Sequence, residues 1–88
     1  MSETFRLRGD QLEWREIEGE IGALDGRSSE YIAVNRTGAA IWPDLLAGAT
    51  REGLVARLTD SFDVDEATAG RDVEEFLEVL RERDLLEG

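Results

Sequence analysis

The stretch YIAVNRTGAAIW, residues 31–42, decides the fold. Tyr31-Ile32-Ala33-Val34 has the length and the aromatic and β-branched content of a strand, and it stops at Asn35. Asn35 is a good helix N-cap, and Val34 before it with Ala39 after it has the spacing of a hydrophobic staple. A strand therefore passes into a helix through one joint residue. Both strand faces, Tyr31 with Ala33 and Ile32 with Val34, are apolar. A single sheet over a helical core has one polar face. The pattern thus predicts a cover on each side. One is the helical core. The other is either the first strand, with Phe5 and Leu7, or a ligand.

Upstream the chain reads as strands. Thr4–Arg8 alternates, with Phe5 and Leu7 on one side, and Gly9-Asp10 is a turn signal. Alternation resumes over 12–17, breaks at Glu18-Gly19, and returns in a short strand over 21–24. Asp25-Gly26 is a hairpin signal, with Arg27, Ser28 and Ser29 lengthening the loop before the strand at 30–34. Connections this short exclude parallel crossovers and predict an antiparallel meander. It has three strands, and residues 4–8 admit an extra N-terminal one.

Downstream, three helices follow, each with a start signal. The first begins after Asn35 and carries Ile41, Trp42, Leu45 and Leu46; Pro43 within it predicts a kink or break. Gly48 ends it. Thr50 caps a second helix over about 51–61, lined by Leu54, Val55, Leu58 and Phe62. Asp65 caps the third, with Glu66 in its first turn and Val64 and Ala69 as a staple; it runs to about Arg83, and Leu85-Leu86 packs back as a tail. Three strands and then three helices define an α+β, winged helix-turn-helix-like domain spanning 1–88.

Composition narrows the function. Twenty-one acids against ten bases, all Arg, leave a formal charge of −11. A chain of this sign repels phosphate, whereas a basic or neutral protein or peptide is electrostatically easier. Histidine and cysteine are absent, which removes the usual general base, the commonest metal ligand and thiol chemistry. There is no phosphate-binding glycine loop, and the carboxylates at Asp63, Asp65 and Glu66 match no calcium loop. Nothing calls for a cofactor or a metal. With no apolar run of membrane-spanning length and no signal-peptide pattern at Met1-Ser2-Glu3-Thr4, the expectation is a soluble cytoplasmic domain.

The third helix has an apolar residue too many. At about 100° per residue, Val73, Phe76, Leu77 and Leu80 form an ordinary core stripe. Val79 lies off it, on a flank shared with Asp72, Phe76 and Arg83. That flank is the expected wall of a groove whose other wall is the strand at 30–34. An edge strand with free N–H and C=O groups accepts an added strand. If the strand at 30–34 is such an edge, and not one sandwiched inside its own fold, Glu30, Tyr31, Ile32, Ala33 and Val34 are the backbone side of a strand-accepting site. Tyr31 or Ile32 with Phe76, Val79 and Leu80 form its pockets, and Asp72, Glu75 and Arg83 set register.

Two other readings compete. Asp60-Ser61-Phe62 is similar to the Asp-Ser-Leu of phosphopantetheine carriers, but a carrier serine starts a helix and Ser61 ends one. A winged helix also invites DNA binding. Its third helix, however, holds Asp65, Glu66, Asp72, Glu74, Glu75, Glu78, Glu82 and Asp84 against Arg71, Arg81 and Arg83, the wrong sign for phosphate.

The stretch ALDGRSSEYIAVNRTGAAIW resembles the leader-peptide recognition domains of PqqD type, especially the stand-alone ones of lasso peptide biosynthesis. The marks are Leu24-Asp25, a hairpin, Tyr31, Asn35, Gly38 and Ile41-Trp42, continued by Phe62-Asp63-Val64, Val73, Leu77, Leu80 and Leu85-Leu86. They span about residues 12–87. The resemblance implies that the leader of a ribosomal precursor adds as a strand to the edge of the last strand. Its side chains, including a Tyr-x-x-Pro motif, would lie towards the third helix. It further implies no catalysis by this chain, which presents the leader to a separate peptidase and an ATP-dependent cyclase.

Overall fold

The computed structural model describes residues 3–87. In chain order it has β1 (Thr4–Phe5), a 3-10 turn (Gly9–Gln11), β2 (Leu12–Ile17), β3 (Glu20–Asp25), β4 (Tyr31–Val34), α1 (Arg36–Ala47), β5 (Ala49–Thr50), α2 (Arg51–Ser61) and α3 (Glu66–Glu82). The sheet β2-β3-β4 is antiparallel throughout, as the short connections require. Glu18 and Gly19, both at positive φ, join β2 to β3 in a two-residue hairpin. The β3–β4 loop is longer. Asp25 is buried there and its carboxylate accepts from the Arg27 N–H at 2.9 Å, while its carbonyl accepts from the Ser29 N–H at 2.8 Å.

All three helices start at the caps read from the sequence. The Asn35, Thr50 and Asp65 side chains accept from the N–H groups of Gly38 (3.0 Å), Gly53 (3.1 Å) and Thr68 (2.8 Å). Of the kink or break expected at Pro43, the break does not occur: α1 runs through it. Ile41 and Trp42 before the proline and Leu45 after it are buried in the core, and that packing holds the helix across the missing hydrogen bond. Arg57 on α2 forms a two-pronged contact with Asp44 on α1 (2.8 and 3.3 Å), which raises the guanidinium pKa and ties the two helices.

The N-terminal segment is a strand only over two residues, and it does not join the main sheet. β1 pairs with β5, Leu7 bridges Leu86, and the Leu7 N–H donates to the Leu45 carbonyl at 2.9 Å. Phe5 and Leu7 are therefore buried among the helices and the C-terminal tail, not laid over β4. The buried side chains form one cluster centred on Ile41, Trp42, Leu45, Leu54, Leu58, Val73, Leu77 and Leu80. No helix among the described residues is long and apolar enough to cross a membrane.

Candidate functional site

Alternation along β4 sorts its side chains. Ile32 and Val34 point to the core and Tyr31 and Ala33 point away. The same alternation sorts the backbone. The Asp25 N–H donates to the Glu30 carbonyl at 2.9 Å, so those opposed residues are a hydrogen-bonded pair. Stepping along the register, Ala23↔Ile32 and Ile21↔Val34 are also hydrogen-bonded pairs, whereas Leu24↔Tyr31 and Gly22↔Ala33 are not. The N–H and C=O groups of Tyr31 and Ala33 therefore point out from the free edge of β4. These are the groups an added strand would meet.

The free edge opens onto α3. A cleft of about 310 Å³ is lined by Ile32, Ala33 and Val34 on one side and by Asp72, Glu75, Phe76 and Val79 on the other. Val79, 40% exposed, is a wall residue as its helical angle implied. Phe76 is half-buried and packs at 6.5 Å, ring to ring, against buried Trp42. Outside that lining, Arg83 just past α3 meets Glu30 just before β4 at 3.2 Å. Asp72 and Glu75 stand on the α3 wall away from that cation. The lining is thus apolar at Ile32, Val34, Phe76 and Val79 and acidic at Asp72 and Glu75, and neither Arg83 nor Glu30 is part of it.

Two residues expected in the pocket are elsewhere. Leu80 is fully buried (0% exposed), because it lies on the centre of the α3 core stripe and not on its flank. Tyr31 is 68% exposed and lies on the opposite face of the sheet, across Gly22, where a β-carbon would clash with its hydroxyl. Its backbone belongs to the site; its side chain does not. Only Ile32 of the two candidates lines the pocket.

Three lining residues come from the start of α1: Asn35, Thr37 and Gly38. Asn35 was explained by its cap and Thr37 carried no signal. Gly38 did carry one. A glycine inside a helix costs about 1 kcal/mol relative to alanine, so a glycine there is a signal of close approach that could have found it. A β-carbon there would lie 2.6 Å from Val34 Cγ1 and 3.1 Å from Phe76 Cε1.

An α+β domain of winged-helix shape, with an open edge strand facing one wall of an amphipathic helix, is a strand-accepting architecture. The chain belongs to the PqqD family: the model of coenzyme PQQ synthesis protein D matches residues 20–86. Two solved structures are similar over nearly their whole length. One, TbiB1 in complex with the TbiA(beta) leader peptide, has a TM-score of 0.81 and 29% identity, covering 94% of this chain and 95% of that one. The other, a lasso peptide synthetase B1 complexed with the leader peptide, has a TM-score of 0.78 and 31% identity, covering 96% and 98%. No curated protein matches the chain.

Proposed function

We propose that this chain, as one domain over residues 1–88, binds the leader region of a ribosomally made lasso precursor peptide by β-strand addition. It then presents the leader, in the cytoplasm, to a separate leader peptidase and a separate ATP-dependent cyclase, and does no chemistry itself. The observation that carries the reading is the phase of β4: outward backbone groups at Tyr31 and Ala33 face a cleft walled by Phe76 and Val79. Main-chain pairing supplies affinity with little sequence choice, and the cleft supplies selectivity. Ile32, Phe76 and Val79 take the inward leader side chains, while Asp72, Glu75 and Arg83 set register. Support also comes from the two similar structures, each holding a leader peptide.

The test is a titration of fluorescently labelled leader peptide with the chain, followed by anisotropy. A saturable rise with the leader, and none with a scrambled peptide of the same composition, is the expected result. An equal response to both peptides would overturn the reading. The carrier alternative is checked by mass: a phosphopantetheinyl transferase adds nothing at Ser61, which closes α2.

A further inference from the structure

The sheet has a second edge. β2 lies at the end opposite β4, and among the described residues no strand pairs with its far side. The Gly26 N–H donates to the Gln11 carbonyl at 2.9 Å, so those two form a hydrogen-bonded pair next to Leu12↔Asp25. By alternation Glu13↔Leu24 and Arg15↔Gly22 are also hydrogen-bonded pairs, and the main-chain groups of Leu12, Trp14 and Glu16 point out of the edge. The Leu12 N–H is taken by the Gly9 carbonyl, whereas those of Trp14 and Glu16 meet no backbone acceptor among the described residues. The strand also overhangs the helices, since only Leu12 of its six residues is buried. Trp14, on the inner face, is 43% exposed and meets Trp42 edge-on at 5.8 Å. On the outer face Glu13 and Arg15 make no ion pair among the described residues. Sheet edges are commonly blunted by a proline or a bulge. β2 has neither: its register with β3 is unbroken from Leu12 to Ile17.

We propose that β2 pairs antiparallel with β2 of a second copy of this chain, about a twofold axis at Trp14. The phase of the edge and the order of charges select this occupant and this register. Outward groups must meet outward groups, so the axis passes through one central residue. Centred on Glu13, the pairing sets Glu13 against Glu13 of the second copy; centred on Arg15, it sets Arg15 against Arg15. Centred on Trp14, it sets Glu13 opposite Arg15 of the second copy and Arg15 opposite Glu13. Both contacts fall in non-hydrogen-bonded pairs, where side chains stand closest. The two Trp14 rings then cover each other on the inner face, and Glu16 lies opposite Leu12, where no like charge faces it. A contact that is its own complement is what a twofold dimer requires. The formal charge of −11 on each chain opposes association at long range, but is screened beyond about 8 Å at physiological salt, while the Glu13–Arg15 pairs act at contact. Two short edges bury less than the roughly 1,200 Å² of a standard interface, so the dimer is a reversible one. It forms one continuous sheet with a β4 edge at each end, and each copy keeps its α3 cleft open. The inference stands apart from the proposed function, since it uses neither the cleft nor the leader.

Charge exchange tests this by sedimentation equilibrium at physiological salt, from micromolar to submillimolar chain, with circular dichroism to confirm folding. The parent chain is expected to pass from monomer to dimer across that range. Glu13→Arg alone and Arg15→Glu alone should each weaken the dimer about tenfold or more, because two opposed pairs turn from attractive to repulsive. An equimolar mixture of the two variants should associate again, within about threefold of the parent, since each then meets its opposite in the other. That recovery also shows that neither variant is merely misfolded. A parent chain that stays monomeric throughout would overturn the proposal. So would a parent dimer that both single variants leave intact, or single variants that the mixture does not rescue. Leader peptide that dissociates the parent dimer would place the contact at β4 and overturn it as well. Failure to bind leader bears only on the proposed function and leaves the β2 contact as it is.

Discussion

Gly38 and Phe76 are packed so tightly that a β-carbon on residue 38 would sit 3.1 Å from Phe76 Cε1, with Val34 Cγ1 closer still at 2.6 Å. The start of α1, the end of β4 and the middle of α3 thus meet at one point beneath the cleft. Val34 is β-branched and stiff, so it yields little. Gly38→Ala is expected to gain helix propensity and yet lose about 1–3 kcal/mol through overpacking. It should also weaken leader binding by displacing Phe76. Urea unfolding and leader anisotropy on the same variant check both parts. A more stable protein with unchanged affinity would show that the contact is slack.

Val79 is a different case, since it stands half-exposed on the cleft wall. Val79→Glu is expected to change stability by no more than about 0.5 kcal/mol. Leader affinity should fall about tenfold or more, because the charge is buried unpaired when the strand seats. Unchanged affinity in the folded variant would take Val79 out of the site.

The phase of β4 makes a prediction that separates neighbours. Ala33→Pro removes an N–H that faces the open edge, a position where proline is tolerated. Ile32→Pro removes one that pairs with β3. The first variant should fold and fail to bind leader; the second should lose the sheet. Amide exchange gives the same test without substitution: leader should slow exchange at Tyr31 and Ala33, with Ile32 protected beforehand. Equal protection of Ile32 and Ala33 in the free protein would contradict the register.

Acid should act on the α3 cap. The Thr68 backbone N–H, and then its hydroxyl, hold the Asp65 carboxyl below the usual range. A folded-state pKa below the unfolded one contributes stability that is present above the unfolded value of about 3.9, and lost as pH falls through the folded value. Asp65→Asn still offers a cap oxygen but no longer titrates there. Urea midpoints measured from pH 7 down to pH 3 should therefore fall less steeply in the variant than in the parent. Parallel pH profiles would show that the cap contributes nothing to acid lability.

Much of this was legible because it is local. Asn35, Thr50 and Asp65 marked three helix starts through hydrogen bonds that span three residues, and the alternation of strands carried the meander. Val79 was placed on the cleft wall by angle alone. The misreadings were of another kind. Whether Pro43 breaks α1 depends on how firmly Ile41, Trp42 and Leu45 are held by other elements, which periodicity does not contain. The destination of Phe5 and Leu7 depends on pairing with β5 and the tail, more than forty residues away. Leu80 and Val79 differ by one helical step, and a step of about 100° decides between core and groove.

The sequence by itself determined where each element begins, that the sheet is antiparallel, and that β4 is apolar on both faces; caps, turns and alternation are short-range chemistry. Only the tertiary structure decided what those two faces meet. Ile32 and Val34 turn to the core and the rim of the cleft, the backbone of Tyr31 and Ala33 opens to the edge, and the Tyr31 side chain lies over Gly22 on the outer face. The reason is physical: alternation places residues on two sides, and only the packing of α3, β1 and the tail leaves the β4 edge and the outer face uncovered.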